Sequence, residues 1–267
     1  SDFNLLCLPS TNFPTFDDNF NSEKVLLDNK KFLSLLNKTK ISISNDDTRH
    51  YLNGIYLHIT ESNNQTYLTG VATDSHRLSS SSMSVENLRD FSSIILPRKT
   101  VFQLSSLLSE TSEKLSVQTG GNKIKFSLGK INLISKVIDG KFPDYQKVIP
   151  KENKEVLVVD RNEFINSVER VASVSLDRKE GVKLDLSKNK LKLSVNSTNS
   201  GDGNEVLAAE YGGEDLAIGF NSKYLLDIAS EVEDKNLSLN LKNSTSPVLV
   251  LDSTDKNSFY VIMPMKI

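Results

Sequence analysis

Residues 25–39 read VLLDNKKFLSLLNKT, and residues 157–171 read LVVDRNEFINSVERV. Each stretch opens on an apolar, strand-like triplet and an aspartate, Asp28 or Asp160. Each then places a phenylalanine, Phe32 or Phe164, four residues later. From there one face repeats at the i, i+3, i+4, i+7 spacing of a helix: Phe32, Leu35, Leu36 and Thr39, then Phe164, Ser167, Val168 and Val171. The spacing predicts two amphipathic helices. Asp28 and Asp160 are their expected N-caps, because a short carboxylate accepts from the unpaired amides of a first turn.

The stretch after each helix repeats as well. Gly54-Ile55-Tyr56-Leu57-His58-Ile59 alternates, turns at Ser62-Asn63-Asn64 and returns through Tyr67 to Val71. Gly181-Val182-Lys183-Leu184-Asp185-Leu186 does the same around Ser187-Lys188-Asn189 and returns through Leu191 to Val195. Period-two alternation across an asparagine-bearing turn marks a hairpin. Further on, Ile94-Ile95-Leu96-Pro97 leads into a helical stretch from Thr100 to Leu108, and Leu216–Phe220 leads into one from Asn221 to Ala229. Three strand-like runs close each half: 115–117, 124–126 and 132–134, then 237–239, 248–250 and 260–262. The chain therefore reads as two domains, 23–150 and 151–267, each holding a strand–helix–strands unit twice. The boundary is expected at the polar stretch Pro150-Lys151-Glu152-Asn153-Lys154. Residues 1–22 fit neither copy and read as an entering strand plus linker. Short helices between antiparallel hairpins indicate an α+β fold rather than a parallel α/β sheet.

The 267 residues, 37% apolar and 25% charged, are ample for two cores. Lysine and arginine number 32 against 34 aspartates and glutamates. That balance excludes holding nucleic acid by bulk charge but not by a local positive lining. The single cysteine, Cys7, precludes an intrachain disulfide and, with no signal peptide, favours the cytoplasm. No apolar run approaches the ~20 residues of a membrane span. The opening Ser1-Asp2-Phe3-Asn4-Leu5-Leu6 has neither methionine nor targeting character.

Catalytic chemistry is hard to find. His50, His58 and His76 lack helical zinc-site spacing, and no cysteine cluster exists. Thr73-Asp74-Ser75-His76-Arg77 puts triad residue types side by side, but triads converge from separate segments. Asn199-Ser200-Gly201-Asp202-Gly203-Asn204 lacks the lysine of a phosphate loop and reads as an exposed loop. No metal site and no cofactor are expected. Basic residues gather as Lys30, Lys31, Lys38 and Lys40 on the first helix and as Arg98 and Lys99 at the second. Arg161, Arg170 and Lys223 lie in the second half. They read as a solvated face or as a weakly positive surface that tracks phosphate without reading sequence. The terminal Met263-Pro264-Met265 completes an edge strand or lines a groove, since flexible methionines suit surfaces with several partners.

At these residues a resemblance emerges. Ala72-Thr73-Asp74-Ser75-His76-Arg77-Leu78 resembles the Ala-Thr-Asp-Gly-His-Arg-Leu signature of the bacterial DNA polymerase III beta subunits, the beta sliding clamps. Gly140-Lys141-Phe142-Pro143-Asp144-Tyr145, with Val148-Ile149-Pro150, is similar to the family's Gly-x-Phe-Pro-Asp-Tyr stretch. Tyr51-Leu52-Asn53-Gly54, Ile218–Asn221 with Tyr224–Asp227, and Met263-Pro264-Met265 also match, in family order.

The resemblance implies a DNA clamp fold of repeated βαβββ units, with sheets outside and helices inside a ring. It implies a non-enzymatic processivity factor that encircles duplex DNA without sequence preference. The family has three domains per chain and closes as a homodimer; this chain resembles the second and third, with Phe3–Pro9 near the last strand of the first. The implied partners are the polymerase III catalytic subunit, the clamp loader, and other clamp-motif proteins such as translesion polymerases, mismatch repair proteins and ligase. None is a membrane.

The implied peptide pocket holds Leu52, Thr73, Ser75, His76, Arg77, Leu78, Pro143, Lys147, Val148, Thr245, Pro247, Val261, Ile262, Met263, Pro264 and Met265. Its apolar members would receive leucine and phenylalanine side chains, and His76 and Arg77 would shape a wall or bind backbone and carboxyl groups. Ser75 stands where glycine is usual, which narrows the pocket or restricts the backbone. Lys147 stands where arginine is common, which weakens bidentate contacts. The implied DNA-facing set is Arg49, His50, Tyr51, Arg98, Lys99, Lys31, Lys38, Arg161 and Lys223, although Asp46 and Asp47 make the loop before Leu52 acidic. The alternative is an interaction scaffold of the same repeat architecture with no DNA role. An enzyme would require a titratable cluster that the sequence does not show.

Overall fold

Asp28 accepts a hydrogen bond from the amide of Lys31, and Asp160 accepts from those of Asn162 and Glu163, so both expected caps form. The computed structural model describes residues 1–13, 20, 22–86, 91–174, 181–197 and 201–266. Four βαβββ units succeed one another. The first is β1 (Val25–Leu27), α1 (Asn29–Lys40), β2 (Gly54–Ser62), β3 (Gln65–Thr73) and β4 (Arg77–Ser84). The second is β5 (Ile94–Pro97), α2 (Arg98–Ser109), β6 (Leu115–Gly120), β7 (Lys123–Leu128) and β8 (Ile131–Lys136). The third is β9 (Glu155–Asp160), α3 (Arg161–Ala172), β10 (Gly181–Ser187), β11 (Lys190–Ser197) and β12 (Gly201–Ala208). The fourth is β13 (Leu216–Asn221), α4 (Ser222–Glu231), β14 (Asn236–Leu241), β15 (Val248–Leu251) and β16 (Ser258–Ile262).

In each half the first strand of one unit joins the three strands of the other. The sheets run β1-β6-β7-β8, β12-β11-β10-β13 and β5-β2-β3-β4-β16-β15-β14-β9. The last is continuous across both halves, because β4 pairs antiparallel with β16 from Ser81↔Ser258 to Arg77↔Ile262. Helices α1 and α2 pack together in the first half, and α3 and α4 in the second. Phe32, Leu35 and Leu36 face a core with Leu57, Leu104 and Phe126, whereas Phe164 and Val168 face one with Leu184, Phe220 and Tyr260. A third cluster, Leu52, Val71, Leu78, Ile95, Phe142 and Val261, lies where the halves meet.

Two expectations are corrected. Gly201 to Asn204 is not a loop but the start of β12, laddered on β11 from Ser197↔Gly201. Polar composition hid a strand whose Gly203 lies so close to Val171 and Val174 that a Cβ would crowd them. Asn199 and Ser200 lie outside the described residues. Phe3 to Leu8 forms no strand: among the described residues it has no ladder partner, and Phe3, Leu5, Leu6 and Leu8 are exposed.

Candidate functional site

The β3–β4 turn is held by its own side chains. Thr73 Oγ1 donates to the Arg77 carbonyl at 2.7 Å and accepts from the Ser75 amide at 3.1 Å. Asp74 Oδ1 accepts from the amides of His76 and Arg77 at 2.9 and 3.0 Å. These bonds force Ser75 to φ 77°, a left-handed conformation that glycine adopts freely. A side chain there costs about 1–2 kcal/mol. The hydroxyl gains a partner, since Arg49 Nη1 donates to Ser75 Oγ at 2.6 Å. Serine here therefore holds a left-handed backbone that glycine would adopt without strain.

The end of β16 lies against this turn. The Met263 amide donates to the His76 carbonyl and the Met265 amide to the Gly219 carbonyl, each at 2.8 Å. Thr73, Ser75, His76, Arg77 and Leu78 are thereby brought beside Val261, Met263, Pro264 and Met265. Leu52, Leu78 and Val261 are buried together with Phe142. Met263, 40% exposed, and Val148, 49% exposed, present apolar surface. Pro143, Lys147 and Val148 belong to the segment 139–150 joining the halves, and its Phe142 stacks on Tyr56 at 4.9 Å. Lys147 is exposed and pairs with Asp144 at 3.1 Å. Pro247 precedes β15, whose Val248 opposes Ile262. Thr245 is exposed and bonds locally to Asn243.

Two pocket expectations change. The Ile262 side chain is fully buried in the core of the second half, on the face of β16 opposite Val261. Arg77 is 6% exposed, so its guanidinium is not a free ligand for a peptide carboxyl. Its Nε donates to Asp74 Oδ2 at 3.1 Å and its Nη1 to Asp227 Oδ2 at 2.6 Å. Its Cζ lies 4.3 Å from the ring centre of Tyr224, on which His76 also stacks at 6.3 Å. Sequence reasoning had left Phe142, Tyr224 and Asp227 out of the site. The last two belong to the matched stretch 224–227, but nothing local to it signals a partner 150 residues away.

The basic set divides. Lys38 is the clear correction: it is 5% exposed, and its ammonium is held by Asp255 at 2.7 Å and Glu233 at 2.8 Å. A buried, doubly paired cation cannot track phosphate. Arg161 is half-buried, with Nη1 on the Val232 carbonyl at 2.6 Å. Arg49 Nε is held by Asp46 at 3.0 Å. The Asp46 carboxyl lies below its usual range, chiefly through the Thr48 hydroxyl and amide and then Arg49. Lys223 is exposed but paired with Asp227 at 2.8 Å. His50 is exposed with Nε2 3.2 Å from the Asp139 carbonyl, and Tyr51 packs beside the third cluster. Lys31 and Lys99 are exposed; Arg98 stacks on the exposed Phe102 at 5.0 Å. Among the described residues no group of three or more histidines, cysteines or carboxylates is placed to hold a metal, and no helix is long and apolar enough to cross a membrane.

Comparison with known proteins agrees with this geometry. Residues 26–144 match the family model for the central domain of the DNA polymerase III beta subunit, and residues 146–266 match that for its C-terminal domain. The chain is 36% identical to the beta sliding clamp of Caulobacter vibrioides and 34% identical to that of Escherichia coli K12. Each alignment covers 100% of this chain and 72% of the relative. A sliding clamp from Bartonella birtlesii bound to griselimycin superposes with a TM-score of 0.94 at 40% identity, over 99% of this chain and 72% of that one. The Caulobacter crescentus polymerase III beta structure also gives 0.94, at 36% identity, over 99% and 72%. The chain belongs to the DNA polymerase III beta subunit family, the beta sliding clamps.

Proposed function

We propose that this DNA polymerase processivity factor holds its partners through short peptides seated between the β3–β4 turn and the end of β16. The observation that carries this reading is the exposed Met263 just past β16, a strand whose Val261 is buried with Leu52 and Leu78 where the halves meet. Leucine and phenylalanine side chains of a partner would bury there at ~1.5–3 kcal/mol each. Less the cost of ordering the peptide, that gives affinities of micromolar order. The polymerase III catalytic subunit, the clamp loader and other clamp-motif proteins would compete for one groove. The role requires no catalytic group, and its setting is the cytoplasm.

Duplex DNA would be encircled and touched weakly at its phosphates by the exposed Lys31 and Lys99 and the half-buried Arg98 foremost, which allows sliding. A homodimeric ring of full-length, three-domain chains would supply the enclosure. We divide the chain at residues 150/151, with 1–22 leading into the first domain.

The test is a fluorescence titration with a Gln-Leu-x-Leu-Phe peptide and a scrambled control. Saturable micromolar binding that is lost in Met263→Glu supports the groove. No binding by the folded chain rejects it and favours a scaffold of the same architecture.

A further inference from the structure

The wall of the proposed groove is a turn of the first half, yet its firmest side-chain anchor lies in the second. Arg77 leaves the β3–β4 turn and passes under Tyr224, and its Nη1 ends on Asp227 Oδ2 at 2.6 Å. Tyr224 and Asp227 both belong to α4, one turn apart, so the helix offers a ring and a carboxylate on the same face. Lys223 shares the same carboxylate oxygen at 2.8 Å, holding Asp227 toward the guanidinium. Within the turn, Asp74 divides its oxygens: Oδ1 takes the two backbone amides and Oδ2 takes Arg77 Nε. The Arg77 side chain is 6% exposed, and the Asp74 and Asp227 side chains are 14% and 27% exposed, so water screens these pairs poorly. His76, between the two anchors, stacks on the same tyrosine and gives its carbonyl to the Met263 amide. Helix α4, the turn and Met263 are thus joined by one continuous chain of contacts.

We propose that Asp227, through Arg77, latches the β3–β4 turn to α4 and so sets the width of the peptide groove from outside it. Asp227 is on this account a positioning residue for peptide binding, acting without touching the peptide. The proposal rests on the groove reading above. The latched turn is then the form that seats a peptide, and loosening α4 weakens binding even with every lining side chain intact.

The experiment uses the full chain in two readouts. The first is affinity for the Gln-Leu-x-Leu-Phe peptide; the second, in the absence of peptide, is amide hydrogen exchange at residues 74–77 compared with β10 and β11. Asp227→Ala is expected to weaken the peptide by about tenfold, within the span of coupling between linked sites. Exchange should rise at 74–77 and stay unchanged in β10 and β11. Asp227→Glu, which keeps a carboxylate near both cations, should recover most of the affinity. In an Arg77→Lys background, Asp227→Ala should cost less than it does alone. Asp227→Asn keeps the volume and one acceptor, and stands in if the alanine variant does not fold. The latch is overturned if Asp227→Ala leaves both readouts at their wild-type values. If the wild-type chain binds no peptide, the groove reading fails, and exchange at 74–77 still decides whether the latch exists.

Discussion

Leu78 and Met263 both belong to the proposed groove, yet they answer to different physics. Leu78 is 2% exposed in the cluster that joins the halves, whereas Met263 is 40% exposed. Leu78→Asp would strand a charge without a partner and is expected to cost about 3–5 kcal/mol of stability. Met263→Glu should stay within about 0.5 kcal/mol of wild type. Urea denaturation of both variants, set beside their peptide affinities, separates loss of fold from loss of binding; a stable Leu78→Asp chain would contradict the packing. Gly54, in the matched stretch Tyr51–Gly54, has a simpler constraint. A Cβ there would collide with the backbone carbonyl of Leu96 on β5. Gly54→Ala should therefore lose about 1–3 kcal/mol by overpacking, read as a lower urea midpoint. At this scale, apolar residues were legible and cations were not. A lysine on a helix face looks solvated until its carboxylates are placed, and those of Lys38 lie 195 and 217 residues away, the differences between position 38 and positions 233 and 255.

Among the elements, the helices and most strands could be read because their periods are written locally. Helix α1 buries Phe32, Leu35, Leu36 and Thr39 as its spacing requires, and β10 alternates from Val182 to Leu186. Strand β12 escaped because glycine, aspartate and asparagine mimic a turn, and only its ladder to β11 makes it a strand. The segment joining the halves was legible as a motif but not as packing. It closes over β2 through a column of rings: Phe142 on Tyr56 at 4.9 Å, Tyr56 on His58 at 4.6 Å, and His58 against Tyr145 at 5.7 Å. His58 Nε2 also lies 3.1 Å from the Tyr145 hydroxyl. Burial pushes the His58 imidazole below its ordinary value of 6.5, only partly offset by the Ile59 carbonyl. The unfolded chain thus takes up this proton more readily than the folded one. Stability from this residue is intact above pH 6.5, falls as pH drops through that value, and levels off below the folded-state value. His58→Gln should flatten this part of the stability profile between about pH 7 and 5. An unchanged slope in urea titrations across that range would mean that His58 protonates freely in the folded chain.

At the scale of the molecule, the question is whether two cores make two folding units. Each half has its own cluster, and a chain of this length divides naturally into two domains. Three features oppose independence. Five residue pairs of β4 and β16 ladder across the junction, the third cluster takes Val261 from the second half, and two cations of the first half, Lys38 and Arg77, end on carboxylates of the second. Charge-assisted hydrogen bonds of this kind contribute about 1.5–3 kcal/mol each when poorly hydrated. Glu233, with 66% of its side chain exposed, contributes less than Asp255. Added to the burial of Leu78 and Val261, that coupling is comparable with the whole stability of a small domain, about 5–15 kcal/mol. The wild-type chain should therefore unfold in one transition, with amide exchange in β7 and β11 reporting the same urea midpoint. Lys38→Ala combined with Arg77→Ala removes the ionic part and leaves the ladder. The midpoints should then separate, the half that is weaker alone melting first. Separate midpoints already in the wild type would show that the junction is a docking surface between two independent units, and coupling through α4 would then act only within the turn it touches.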